Sequence, residues 1–155
     1  MASSVPEIET IAFSITVSDF ERSRRFYGEG LGFKLGPQQT TEFAAGSEDA
    51  KDMNLPGGVK LSSCFAWRAQ MRLEILSYTQ PAPVAGDVKP PNRTGMNALH
   101  FATTDVKDLV DRLVSLGGTV VKAWGVERAI VADPDGVRIN FAAVPFAVVR
   151  GIFGE

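Results

Sequence analysis

One cysteine, Cys64, one histidine, His100, and two tryptophans are all that 155 residues hold of those types. A lone cysteine cannot close an internal disulfide, which fits a reducing compartment. No apolar run approaches the roughly 20 residues that cross a bilayer. The opening MASSVPEIET has neither a basic nor an apolar leader segment, so no secretory signal is expected. Basic runs are missing too, and a net charge of -2 gives no footing for nucleic acid or an anionic membrane surface. Neither a glycine-rich phosphate loop nor a nucleophile elbow occurs. With 45% apolar and 22% charged residues, what remains is an ordinary globular domain, large enough for a real core. A cytoplasmic protein is the expectation.

What the chain does have is an internal repeat. Asn97 to Val106, with the only histidine, replays Ile11 to Phe20: Ala98 falls on Ala12, His100 on Ser14, Thr104 on Ser18 and Asp105 on Asp19, an offset of 86 residues. In the earlier copy Ile11, Phe13, Ile15 and Val17 alternate with Ala12, Ser14 and Thr16, which predicts a strand with one packed face. Ser18 and Glu21 read as a capping box for a helix over 19–29, with Phe20, Phe26 and Tyr27 as anchors, ended by Gly30 and Gly32. A strand at 33–35 follows. Residues 37–58 show no period and read as a flap or a short unseen element. Strands are expected at 59–67 and 71–78, the second presenting Arg72, Glu74, Leu76 and Tyr78 on one face.

A proline-rich stretch over 80–95 reads as a linker, after which the pattern starts again. A strand at 97–103 leads into a helix over 105–116, closed by Gly117 and Gly118. Strands follow at 119–123, 126–132 and 137–143, the last two joined by Asp133-Pro134-Asp135-Gly136. The fold class is therefore α+β: a single domain over 1–155 of two βαβββ modules, about 9–79 and 96–143, forming a curved mixed sheet around a cleft. The apolar tail 144–155 is expected to pack on the sheet or on a partner subunit.

Paired βαβββ modules, the run Val17-Ser18-Asp19-Phe20-Glu21-Arg22-Ser23-Arg24-Arg25-Phe26-Tyr27, the Asp-Pro-Asp-Gly hairpin and Trp124-Gly125 ahead of it resemble the vicinal oxygen chelate superfamily. That group includes glyoxalase I, extradiol dioxygenases, methylmalonyl-CoA epimerase, fosfomycin-resistance enzymes and bleomycin-binding proteins. The resemblance implies a homodimer, and a cleft built within one chain or across two. It also implies four inward ligand positions in metal-dependent members, which fall here on Ala12, Glu74, Ala98 and Asn140. Two alanines carry no lone pairs, and zinc or iron needs three or four protein ligands. His100 substitutes for Ala98 only with a displacement of roughly 7 Å along the strand. No metal and no cofactor are expected.

Glu74 and His100 are then the candidate catalytic pair, able to take and return protons near neutral pH. Against this stand a Glu74 paired with Arg72 or Arg138, and a His100 satisfied by backbone. Ser14, Thr16 and Asn140 can orient a carbonyl or hydroxyl, or only bind water. Trp67, Tyr78 and Trp124, with Phe43, can wall a flat ligand, or only pack the core. Cys64 reads as a buried, inert thiol and the helix arginines as solvated. Three functions fit a small-molecule cleft. The leading one is a metal-independent isomerase, cyclase or lyase acting on a moderately apolar organic molecule. The second is sequestration of a drug or secondary metabolite. The third is a glyoxalase- or epimerase-like metal enzyme with an atypical ligand set.

Overall fold

The computed structural model describes residues 9–85, 92 and 94–154. Most of the expected linker's centre, 86–91 and 93, lies outside the described residues, as do the first eight. In chain order the elements are β1 (Phe13–Thr16), α1 (Phe20–Arg25) running into a π-turn (Phe26–Gly30), β2 (Lys34–Leu35), β3 (Gln39–Phe43), α2 (Glu48–Asp52), β4 (Val59–Arg68) and β5 (Met71–Gln80). The second half holds β6 (Leu99–Ala102), α3 (Val106–Ser115), β7 (Thr119–Trp124), β8 (Arg128–Ala132), β9 (Arg138–Ala142) and α4 (Phe146–Phe153). The α+β fold of the paired modules is as expected. Strands hydrogen-bond within their own module, so the sheet comes in two parts: β1-β5-β4-β2, with β3 also on β4, and β6-β9-β8-β7.

Both helices start as their sequences dictate, with one correction. Asp19, not Ser18, caps α1, its carboxylate accepting from the backbone N–H of Arg22 at 2.9 Å. Ser18 is drawn away because its hydroxyl donates to Asp135 of the other module at 2.5 Å. Asp105 caps α3 in the equivalent way, accepting from Asp108 N–H at 2.9 Å. The helix expected to run to residue 29 widens into the π-turn, where Leu31 N–H reaches back to Phe26 O at 3.2 Å. The aperiodic stretch 37–58 resolves into β3 and α2, the latter capped by Ser47. The tail folds as α4.

One core serves both modules. Phe26, Tyr27, Phe33, Phe101 and Phe141 form a chain of ring contacts with centroids 5.4 to 6.2 Å apart, crossing from the first module into the second. Glycine permits the close approach: a Cβ on Gly30 would meet Leu113 at 2.8 Å, and one on Gly118 would meet Phe26 at 2.9 Å. Ile15 and Val17 join this core, but Ile11 and Phe13 do not and stay 76% and 52% exposed. They sit at the start of an edge strand, beyond the packed cluster.

A polar clasp reinforces the join. The Tyr27 hydroxyl donates to Asp133 at 2.9 Å, and Asp133 also accepts the backbone N–H groups of Asp135 and Val137. Burial, aided by the Asp133 charge, raises the Tyr27 pKa well above its usual value. Burial likewise raises Asp133, against the lowering pull of those hydrogen bonds. Arg22, expected to be merely solvated, adds an ion pair to Asp135 at 3.3 Å.

Candidate functional site

Strand register turns the sequence repeat into geometry. Ser14 lies opposite Glu74 in the β1–β5 pair, and His100 lies opposite Asn140 in the β6–β9 pair. The four positions are therefore two copies of one place in the fold. Their chemistry differs. The Ser14 hydroxyl donates to the Glu74 carboxylate at 2.7 Å. Arg72, one of the two arginines that offered a pairing for Glu74, turns instead to Glu9 and the Thr10 carbonyl.

The second copy is left open. Asn140 Nδ2 stands 3.4 Å from His100 Nδ1 and 3.3 Å from Nε2. The lone-pair directions of the two ring nitrogens diverge, so a group equally far from both lies along neither. Both imidazole nitrogens therefore stay open to a ligand. Asn140 Oδ1 is buried with no partner among the described residues, a condition that costs about 1–3 kcal/mol until something donates to it.

His100 and Asn140 line a cavity of about 490 Å³ between the face of β6, β8 and β9 and the underside of α4. The roof is Val149, Ile152 and Phe153; Trp124 and Arg128 close one side. Helix α4 buries none of its own residues and leaves Ile152 69% and Phe153 75% exposed. The cavity thus has an apolar body and a polar end, the usual form of a small-molecule site.

The structure brings together His100, Asn140 and Trp124 of the expected site residues. It places Glu74 and Ser14 on the other sheet, outside this cavity, with Thr16 exposed beside them on β1. Trp67 lines a separate recess of about 380 Å³ with Ile11, Phe65 and Arg72. Tyr78 is half-buried on β5, and Phe43 is half-buried at the end of β3. Cys64 is buried, and burial raises its thiol pKa, as expected of an inert group.

Besides the apolar lining, the sequence pattern left out the one Arg among the described residues of the cavity lining, Arg128, whose guanidinium carbon lies 4.1 Å from the centre of the Trp124 ring. The signal was available. Trp124 and Arg128 flank the turn of the β7–β8 hairpin and are cross-strand partners.

The four ligand positions do not fit a metal ion. Ala12 and Ala98 offer no donor, Glu74 is held by Ser14, and Asn140 lies on the other sheet against His100. Among the described residues no three His, Cys, Asp or Glu side chains converge. Nor, among those residues, is any helix long and apolar enough to cross a membrane.

Comparison with known proteins gives the fold a context. The family model described as Glyoxalase/Bleomycin resistance protein/Dioxygenase superfamily matches residues 8–141. A glyoxalase family protein from Bacillus cereus superposes with a TM-score of 0.71 at 19% identity, over 92% of this chain and 97% of that one. The trypanothione-dependent glyoxalase I of Leishmania major gives 0.64 at 20% identity, over 96% and 95%. The fosfomycin resistance protein FosX of Listeria monocytogenes gives 0.55 at 14% identity, over 96% and 98%. No curated protein sequence matches the chain.

Proposed function

This chain belongs to the Glyoxalase/Bleomycin resistance protein/Dioxygenase superfamily, and from that premise we propose a metal-independent isomerase, cyclase or lyase. It acts on a small, moderately apolar organic molecule held beneath α4. The observation that carries this is His100, with both ring nitrogens open, at the polar end of an otherwise apolar cavity.

A neutral imidazole has one nitrogen that accepts a proton and one N–H that donates. Set against a substrate C–H next to a carbonyl, His100 takes the proton and returns it at a neighbouring atom, so the net reaction is a proton shift. Where a leaving group sits beside the resulting carbanion, the same abstraction gives an elimination. Asn140 serves as the orienting group, its free Oδ1 accepting from a substrate hydroxyl or N–H. The four ligand positions hold no donor set for zinc or iron, so the chemistry is assigned to side chains alone.

A second reading, sequestration without turnover, is favoured by one observation: Glu74, the expected second proton carrier, lies outside the cavity. A base-probing substrate separates the two. We expect 5-nitrobenzisoxazole to bind and to undergo ring-opening elimination. His100→Ala should slow that step about 100-fold or more, while Glu74→Gln leaves it unchanged. Binding with equal rates in wild type and His100→Ala overturns the enzymatic reading in favour of sequestration.

A homodimer also belongs to this proposal. Ile11, Phe13, Phe65 and Trp67 leave an exposed apolar area on the first module, which supports a second chain covering it. Light scattering that returns a monomer mass at micromolar concentration removes it.

A further inference from the structure

We infer that the molecule held beneath α4 is an anion, an apolar body bearing a carboxylate or a comparable oxyanion, and that Arg128 receives the charged end. The inference rests on the proposal that this cavity is the ligand site. It starts from how Arg128 is held. Its guanidinium carbon lies 4.1 Å from the centre of the Trp124 ring, within cation–π reach, so the ring holds the group at the cavity's side. A guanidinium presents a planar N–H fork, the geometry that matches two carboxylate oxygens.

Among the described residues nothing occupies that fork. Among the described residues Arg128 enters none of the ion pairs and donates no side-chain hydrogen bond, although six of the seven arginines and lysines of the first module's helices and β4–β5 hairpin form an ion pair. Lys122, also without an ion pair, stands 5.1 Å from the same indole ring. Among the described residues no Asp or Glu lines the cavity. Arg128 in the lining, Lys122 beside the same indole ring and the lack of a carboxylate among the described lining residues make a site whose field favours a negative ligand. The apolar floor and roof exclude a small hydrated ion, which gains nothing from Ile130, Ile152 or Phe153. The ligand class is therefore amphiphilic: a flat apolar body against Trp124 and α4, with one oxyanion at the Arg128 end.

Two probes of the same shape test this, 2-naphthoate and 2-naphthamide, which differ in charge alone. Binding is read from Trp124 fluorescence in a Trp67→Phe background, where Trp124 is the remaining tryptophan. The expected result is tighter binding of the naphthoate by about tenfold to a hundredfold, the range of a charge-assisted hydrogen bond. Arg128→Gln, a change at an exposed position, should erase that preference and leave naphthamide binding as it was. Equal affinity for the two probes, or a naphthoate preference that survives Arg128→Gln, overturns the inference while the cavity stands as a ligand site. Failure of both probes to perturb Trp124 overturns the cavity reading itself, and the inference with it.

Discussion

The two modules place the same backbone under two different pairs of side chains. In the first, a hydroxyl and a carboxylate satisfy each other at 2.7 Å, outside the cavity beneath α4. In the second, an imidazole and an amide stand too symmetrically to bond well, beneath a helix that buries none of its own residues. A polar pair that completes its own hydrogen bonds has little to offer a ligand. One that leaves a buried oxygen and two ring nitrogens open carries an unmet demand that a ligand can fill. The repeat thus separates a quiet copy of the site from an available one.

Removing the roof is the most direct way to break the comparison. Ending the chain at Val144 deletes α4 and returns the second module's face to the open state of the first. The three apolar side chains of the roof are worth roughly 1.5–3 kcal/mol in total to a ligand that covers part of each, so 2-naphthoate affinity should fall about tenfold to a hundredfold. The melting temperature should move by only a few degrees, because α4 contributes nothing to the shared core. A collapse of the fold on truncation would instead make α4 a structural element, and the contrast between roofed and open copies would lose its meaning.

The join between the modules offers the next test. Tyr27→Phe removes the donor to Asp133 from a buried site and should destabilise the protein by about 1–3 kcal/mol in urea unfolding. The pH dependence has a defined sign. Asp133 holds its proton to higher pH in the folded protein than the ordinary carboxyl value of 3.8. Between that value and its raised folded one, the folded state carries the proton and the unfolded state does not, so stability falls as pH rises through the window. Asp133→Asn cannot ionise. The stability difference, wild type minus variant, should therefore decline as pH rises above about 3.8. A flat or rising difference would mean that the hydrogen bonds from Tyr27, Asp135 and Val137 outweigh burial.

How much of this was legible in the sequence follows from the range of each signal. The repeat, the caps and the strand alternation are local, and from them came the equivalence of Ser14 with His100 and of Glu74 with Asn140, with helices starting at Asp19 and Asp105 to within a residue. Where Glu74 ends up relative to the cavity of His100 depends on how the two modules pack, with close approach at Gly30 and Gly118, which no local pattern encodes. β3 was hidden by its composition, Gln39-Thr40-Thr41-Glu42-Phe43, too polar to alternate. Helix α4 was hidden by its start, since Pro145 supplies no side-chain cap. Its apolar residues were visible, but where they would lie was not.

The smallest expected effect bears most directly on the contrast between the copies. Ser14→Ala deletes the hydroxyl that donates to Glu74. Both groups of that pair reach solvent, so water replaces the lost donor and the carboxylate keeps its charge without being stranded. The cost should stay below about 0.5 kcal/mol, the ordinary range for a surface change, and binding of 2-naphthoate in the other module should not move. A cost above about 1.5 kcal/mol, well outside that range, would show that the hydroxyl supports an effectively buried carboxylate. Glu74 would then be a constrained group of the kind that active sites contain, and the first module could no longer be regarded as the quiet copy.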